Sequence, residues 1–139
     1  MPPDPLEGLV AAPLAGSAVA APHAAIVVVE WTDPGGGTDP PTYIAPLHVH
    51  HEDDEAWYVL DGALCVRVGD EVAEVPAGGA VLVPRGTPHT YWNPRSRPTR
   101  YLLVMTPRIR ALIEALHTGS GADVTEVFAA YRSEYLGWP

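Results

Sequence analysis

His48-Val49-His50 with Glu55 and Gly62, followed by Gly78, Pro84, Gly86, His89 and Asn93, are the stretches on which the fold is read. In a β-strand successive side chains point to opposite faces. His48 and His50 therefore share a face, about 7 Å apart along the strand. Glu52-Asp53-Asp54 reads as a solvated turn, and Glu55 opens the next strand. Antiparallel pairing can bring Glu55 back beside the histidines. Pro84-Arg85-Gly86-Thr87-Pro88 is a stiff loop that sets where the strand beginning at His89 starts. Three imidazoles and one carboxylate on strands make a set that binds a divalent transition metal and leaves coordination positions for water or substrate.

Working outward, short β-rich runs follow one another closely. Ala25 to Trp31 is a β-branched run, broken by Asp33-Pro34-Gly35-Gly36-Gly37. Further strands are expected near 43–50, 55–60, 63–68, 71–75, 80–84, 88–92 and 99–106. Asp61-Gly62 and Gly69-Asp70 are hairpin-type pairs between them. Residues 1–22 are rich in Pro and Ala and read as an arm, 23–106 as the β-domain, and 107–139 as a helical segment packed on it. Thr106-Pro107 starts one helix with an apolar stripe of Ile109, Leu112, Ile113 and Leu116, stopped at Gly119 and Gly121. Asp123 with Glu126 resembles a capping box for a second helix, whose stripe is Val124, Val127, Phe128, Tyr131 and Tyr135.

Composition narrows the function. A chain of 139 residues with 47% apolar content suits one domain with one core. The net charge of −9 argues against nucleic acid and anionic membrane surfaces as partners. All eight basic residues are Arg, so lysine Schiff-base chemistry is excluded. Cys65 is the single cysteine, which rules out an intrachain disulfide and a thiolate metal cluster. That fits a reducing, cytoplasmic setting. The apolar run from Leu9 to Val29 contains Pro13, Gly16 and Pro22 and follows acidic Asp4 and Glu7. Neither a signal peptide nor a membrane span is expected there.

The nine positions opening this section resemble the two motifs of the cupin superfamily. His48, His50, Glu55 and Gly62 match the first, and Gly78, Pro84, Gly86, His89 and Asn93 match the second. The short stretch between Gly62 and Gly78 resembles compact single-domain members. The resemblance implies a mainly β fold, a double-stranded β-helix or jelly-roll barrel, here followed by two C-terminal α-helices. It implies that His48, His50, Glu55 and His89 hold Fe, Mn, Ni, Co, Cu or Zn. It also implies a homodimer, with the N-terminal arm suited to strand exchange.

Parity assigns the remaining side chains. His51 points to the opposite face from His48 and His50, as surface. Trp57 shares the face of Glu55, and Tyr91 that of His89, as core or pocket wall. Ile44 and Pro46 extend the face of His48, and Tyr101 is a further pocket candidate beside core Leu103 and Met105. Asn93 orders a turn, Cys65 is structural, and His23 and His117 lack ligand context. The leading expectation is a metal-dependent enzyme on a small organic substrate, similar to quercetinase-like dioxygenases, with Glu55 as ligand and base and Tyr91 bonding a bound water or substrate. The competing expectations are isomerase, cyclase or lyase chemistry with the metal as Lewis acid, and a barrel that binds a small molecule without turnover.

Overall fold

The computed structural model describes residues 4–119 and 121–139. Residues 1–3 of the expected arm and Ser120 of the expected helical segment lie outside the described residues. Ten strands and two helices are formed: β1 (Ala18–Val19), β2 (Val27–Asp33), β3 (His48–His50), β4 (Glu55–Asp61), β5 (Ala63–Val68), β6 (Glu71–Pro76), β7 (Ala80–Val83), β8 (His89–Trp92), β9 (Thr99–Met105), α1 (Pro107–Thr118), α2 (Val124–Ala130) and β10 (Ser133–Tyr135). The strands make two five-stranded antiparallel sheets, ordered β1-β2-β9-β4-β7 and β10-β3-β8-β5-β6. This is the expected jelly-roll arrangement with two helices after it.

Alternation along the strands builds the core between the sheets. On β4 the odd residues Glu55, Trp57 and Val59 are buried, and on β9 Tyr101, Leu103 and Met105 are. They interleave because β4 and β9 pair with Trp57 opposite Leu103 and Val59 opposite Tyr101. Leu64 and Val66 of β5 face them from the other sheet. Burial of such side chains contributes roughly 1.5–3 kcal/mol each. Gly62, between β4 and β5, has φ +86°, and a Cβ there would collide with Thr99 Oγ1. Gly86 has φ +80° and donates its N–H to the His50 carbonyl at 2.7 Å, which ties the loop before β8 to β3.

Four local expectations change. Ala18–Val19, within the expected arm, pairs antiparallel with Val28 and Val29 of β2. The 43–50 run contributes only His48–His50 as a strand, with Tyr43 bridging to Trp92. The second helix ends at Ala130 and does not carry its stripe to Tyr135. Arg132 adopts φ +57°, and Ser133–Tyr135 become β10, paired with His50, Val49 and His48. An edge strand with open backbone groups outcompetes one more helical turn, because pairing satisfies both strands. Asp123 caps α2 through Thr125 N–H at 2.8 Å, so it is an N-cap without the reciprocal bond expected from Glu126.

Helix α1 forms as its sequence indicates. Thr106 accepts the Ile109 N–H, Pro107 fills the first turn and Gly119 closes the helix in the left-handed region. It buries Ile109 and Leu112 over one end of the barrel. Among the described residues, no helix is long and apolar enough to cross a membrane.

Candidate metal centre

Strand pairing brings the four polar residues together. His48 lies directly opposite His89 in the β3–β8 pair. His50 is two residues along the same face, and Glu55 reaches in from β4 of the other sheet. One ligand atom from each of His48, His50, Glu55 and His89 lies within 4.8 Å of all the others, and all four residues are buried. Glu55 Oε1 is 3.1 Å from His89 Nε2 and 3.3 Å from His50 Nε2.

Each imidazole is held by its other nitrogen. His48 Nδ1 is 2.7 Å from the Pro46 carbonyl, and His89 Nδ1 is 2.9 Å from the Thr87 carbonyl. A carbonyl only accepts, so both Nδ1 atoms carry the proton. His50 Nδ1 is 2.7 Å from Ser133 Oγ, whose hydroxyl donates to the Tyr131 carbonyl at 3.2 Å. Ser133 is therefore an acceptor toward His50, and all three rings turn Nε2 toward the centre. His50 Nε2 is buried with no hydrogen-bond partner. Three Nε2 atoms and a carboxylate converge, a donor set that a bound cation would satisfy together. Fixing Nδ1 while presenting Nε2 is the way proteins orient metal-ligating histidines. The donor set fits a divalent transition metal ion.

The electrostatics agree. Burial, reinforced by His89 and His50, pushes the His48 pKa from 6.5 down to about 3, so this ring is neutral near pH 7. Burial works against ionisation of Glu55, but the His50 and His89 imidazoles beside its carboxylate hold its pKa down to about 2. Near pH 7 the site therefore presents a neutral His48 ring beside the ionised Glu55 carboxylate.

Above the centre is a cavity of about 190 Å³. His48, His50 and Glu55 form its floor, Ile44, Pro46 and Leu103 part of its wall, and α1 its roof through Ile109, Leu112, Ile113 and Leu116. Tyr91 and Tyr101 also line it, and their hydroxyls are 3.2 Å apart. Burial raises Tyr91 well above 10 and Tyr101 to about 12, so both stay protonated. Trp57 is 1% exposed and packs behind the wall, with ring centroids 5.9 Å from His89 and 5.2 Å from Tyr91. It is a core residue rather than a lining one.

Several other residues are placed by the structure. His51 points outward and is 3.4 Å from Glu134. Asn93 accepts from Arg95 N–H and donates to the Arg97 carbonyl, which orders the 93–97 turn. Asp53 is not solvated as expected: it is buried, with Oδ2 3.4 Å from Arg108 Nη1. Sequence reasoning missed three contributors. Ser133 orients His50, Phe128 packs against His48 at 5.6 Å, and His117 lines the cavity mouth. Ser133 carries no sequence signal, because only the β3–β10 register brings it opposite His50.

Comparison with known proteins agrees with this architecture. The family model described as cupin domain matches residues 32–105, and the chain belongs to that family. It is a metal-binding cupin, with the buried His/Glu cluster of a metalloprotein. The uncharacterized protein SCO3923 of Streptomyces coelicolor is 35% identical over 57 residues, covering 41% of this chain and 53% of that protein. The solved structure of TT1209 from Thermus thermophilus is similar at 28% identity and TM-score 0.53, over 64% of this chain and 78% of that one. A sugar phosphate isomerase of the cupin superfamily from Silicibacter pomeroyi shares the fold at 22% identity and TM-score 0.51, over 60% of this chain and 51% of that one. The chain spans about half or less of the length of the curated relatives it matches.

Proposed function

We propose that this cupin is a metal-dependent enzyme that moves a proton on a small hydroxycarbonyl compound, as an isomerase or lyase, without using oxygen. The observation that carries it is the convergence of three oriented imidazoles and the Glu55 carboxylate at the base of a cavity. His48, His50, Glu55 and His89 are the ligands in this reading. A divalent ion held there would supply Lewis acidity toward a substrate carbonyl.

The chain's own residues do the rest. Glu55 is ionised and accepts a proton from the carbon beside the polarised carbonyl. Returning that proton to the former carbonyl carbon, while the hydroxyl proton passes to the former carbonyl oxygen, gives isomerisation; loss of a leaving group from the carbon on the other side of the deprotonated one gives elimination. Tyr91 and Tyr101 stay protonated and one hydroxyl donates to the other, so the pair offers one O–H to substrate oxygen rather than a base. The apolar roof excludes water and strengthens each of these interactions. The isomerase name of the Silicibacter pomeroyi relative supports proton transfer over the dioxygenase chemistry expected from the motifs.

The test is hydrogen exchange from solvent D₂O into 2-hydroxyacetophenone, followed by NMR under argon and under air. Exchange that needs bound metal, runs equally in both gases and is lost in Glu55→Gln supports the reading. Turnover that stops under argon and consumes oxygen in air returns the site to dioxygenase chemistry. No turnover in either gas, with the probe bound, leaves a binding barrel.

A further inference from the structure

The cavity carries a second message, in what its walls lack. Among the described residues, its lining contains no arginine, and the chain contains no lysine. Most of the eight arginines, none of them in that lining, pair with carboxylates. Arg85 pairs with Asp54, Arg95 with Glu74, Arg100 with Glu30 and Arg110 with Glu114. Arg108 and Arg132 converge on Glu52.

The backbone offers an anion no better welcome. Helix α1 presents its flank as the roof, and its last turn, with Leu116 and His117, reaches the cavity mouth. That is the negative end of the helix dipole. The positive end is closed: Thr106 already takes the Ile109 N–H, and Pro107 has none to give. Trp31 stands across the mouth from His117, with ring centroids 6.1 Å apart. The net charge of −9 opposes approach of a dianion as well.

Charge balance at the floor sets the limit. Glu55 offsets one of the two charges of a divalent ion, and one ionised substrate oxygen offsets the other. A phosphate at the far end of the substrate would sit among Ile109, Leu112, Ile113 and Leu116 with no countercharge. Burying an ion unpaired costs several kcal/mol. The size is modest too, since a cavity of about 150 Å³ already admits a benzene ring.

We propose, resting on the Lewis-acid reading above, that the substrate is one ring or a short chain, uncharged apart from the oxygen pair it offers the metal. Phosphorylated substrates are excluded, in contrast to what the name of the Silicibacter pomeroyi relative says of that protein. The roof residues of α1 are the specificity-determining wall.

Calorimetric titration decides it, with protein loaded with Zn(II) and, separately, stripped by chelator. The probes are 2-hydroxyacetophenone and dihydroxyacetone phosphate. The loaded protein should bind the neutral probe at least about tenfold more tightly, a gap of about 1.4 kcal/mol. Equal affinities, a preference for the phosphate ester, or no measurable binding of the neutral probe would overturn the inference. If the preference holds but stripping leaves it untouched, the substrate class stands and the metal-centred reading fails. A preference for the ester that vanishes on stripping does the reverse. Leu116→Arg places a cation in the roof and should narrow the gap about tenfold. A folded variant with the gap unchanged contradicts the assignment of α1 as that wall.

Discussion

The floor and the roof of the cavity follow opposite rules. The floor is polar, and the three imidazoles of the centre, His48 and His50 lining it and His89 beneath, are each fixed by a hydrogen bond to Pro46, Ser133 or Thr87. The roof is apolar, made by one face of α1, and held by packing, with Arg108 pairing Glu52 and Asp53 at the first turn of the helix. Polar donors at such a site must be placed to within a fraction of an ångström, and side chains on paired strands provide that. A roof need only fill space and exclude water. Chemistry therefore resides in the strands and selectivity in the helix.

Substitutions can separate the two halves. His89→Ala removes a donor that is 1% exposed, and metal content should fall from about one ion per chain to near none. Retention of full metal content would show that the floor tolerates three donors. Leu112→Ala in the roof should cost about 2–5 kcal/mol in chemical denaturation while metal affinity stays the same. A parallel loss of metal would mean that roof and floor are one unit. Ser133→Ala leaves the four donors in place but frees the His50 ring, so metal affinity measured by chelator competition should drop about 10–100-fold. An unchanged affinity would mean that packing alone orients His50. His51→Ala, an exposed neighbour on the opposite face, should leave metal affinity unchanged.

The same division explains what could be read from the sequence. The floor was legible because strand parity is a local rule: His48 and His50 share a face wherever that strand lies. The fold followed from the closely spaced short strands and from the resemblance of the two motifs to the cupin superfamily. Trp57 shows the limit of parity, which says that a side chain points inward but not whether it meets the cavity or the core behind it. β10 was not legible, because Val124, Val127, Phe128, Tyr131 and Tyr135 keep helical spacing in sequence. The turn at Arg132 is decided by pairing with β3, a partner more than eighty residues away. Asp53 likewise looks like surface until α1 brings Arg108 onto it.

The central claim is that the four floor residues hold one divalent transition metal ion. Elemental analysis of the purified protein beside His50→Ala, before and after reconstitution, addresses it most directly. The account predicts about one ion per chain in the wild type and loss of that ion in the variant. A wild type that stays metal-free after reconstitution, or a variant that keeps the full complement, would contradict it.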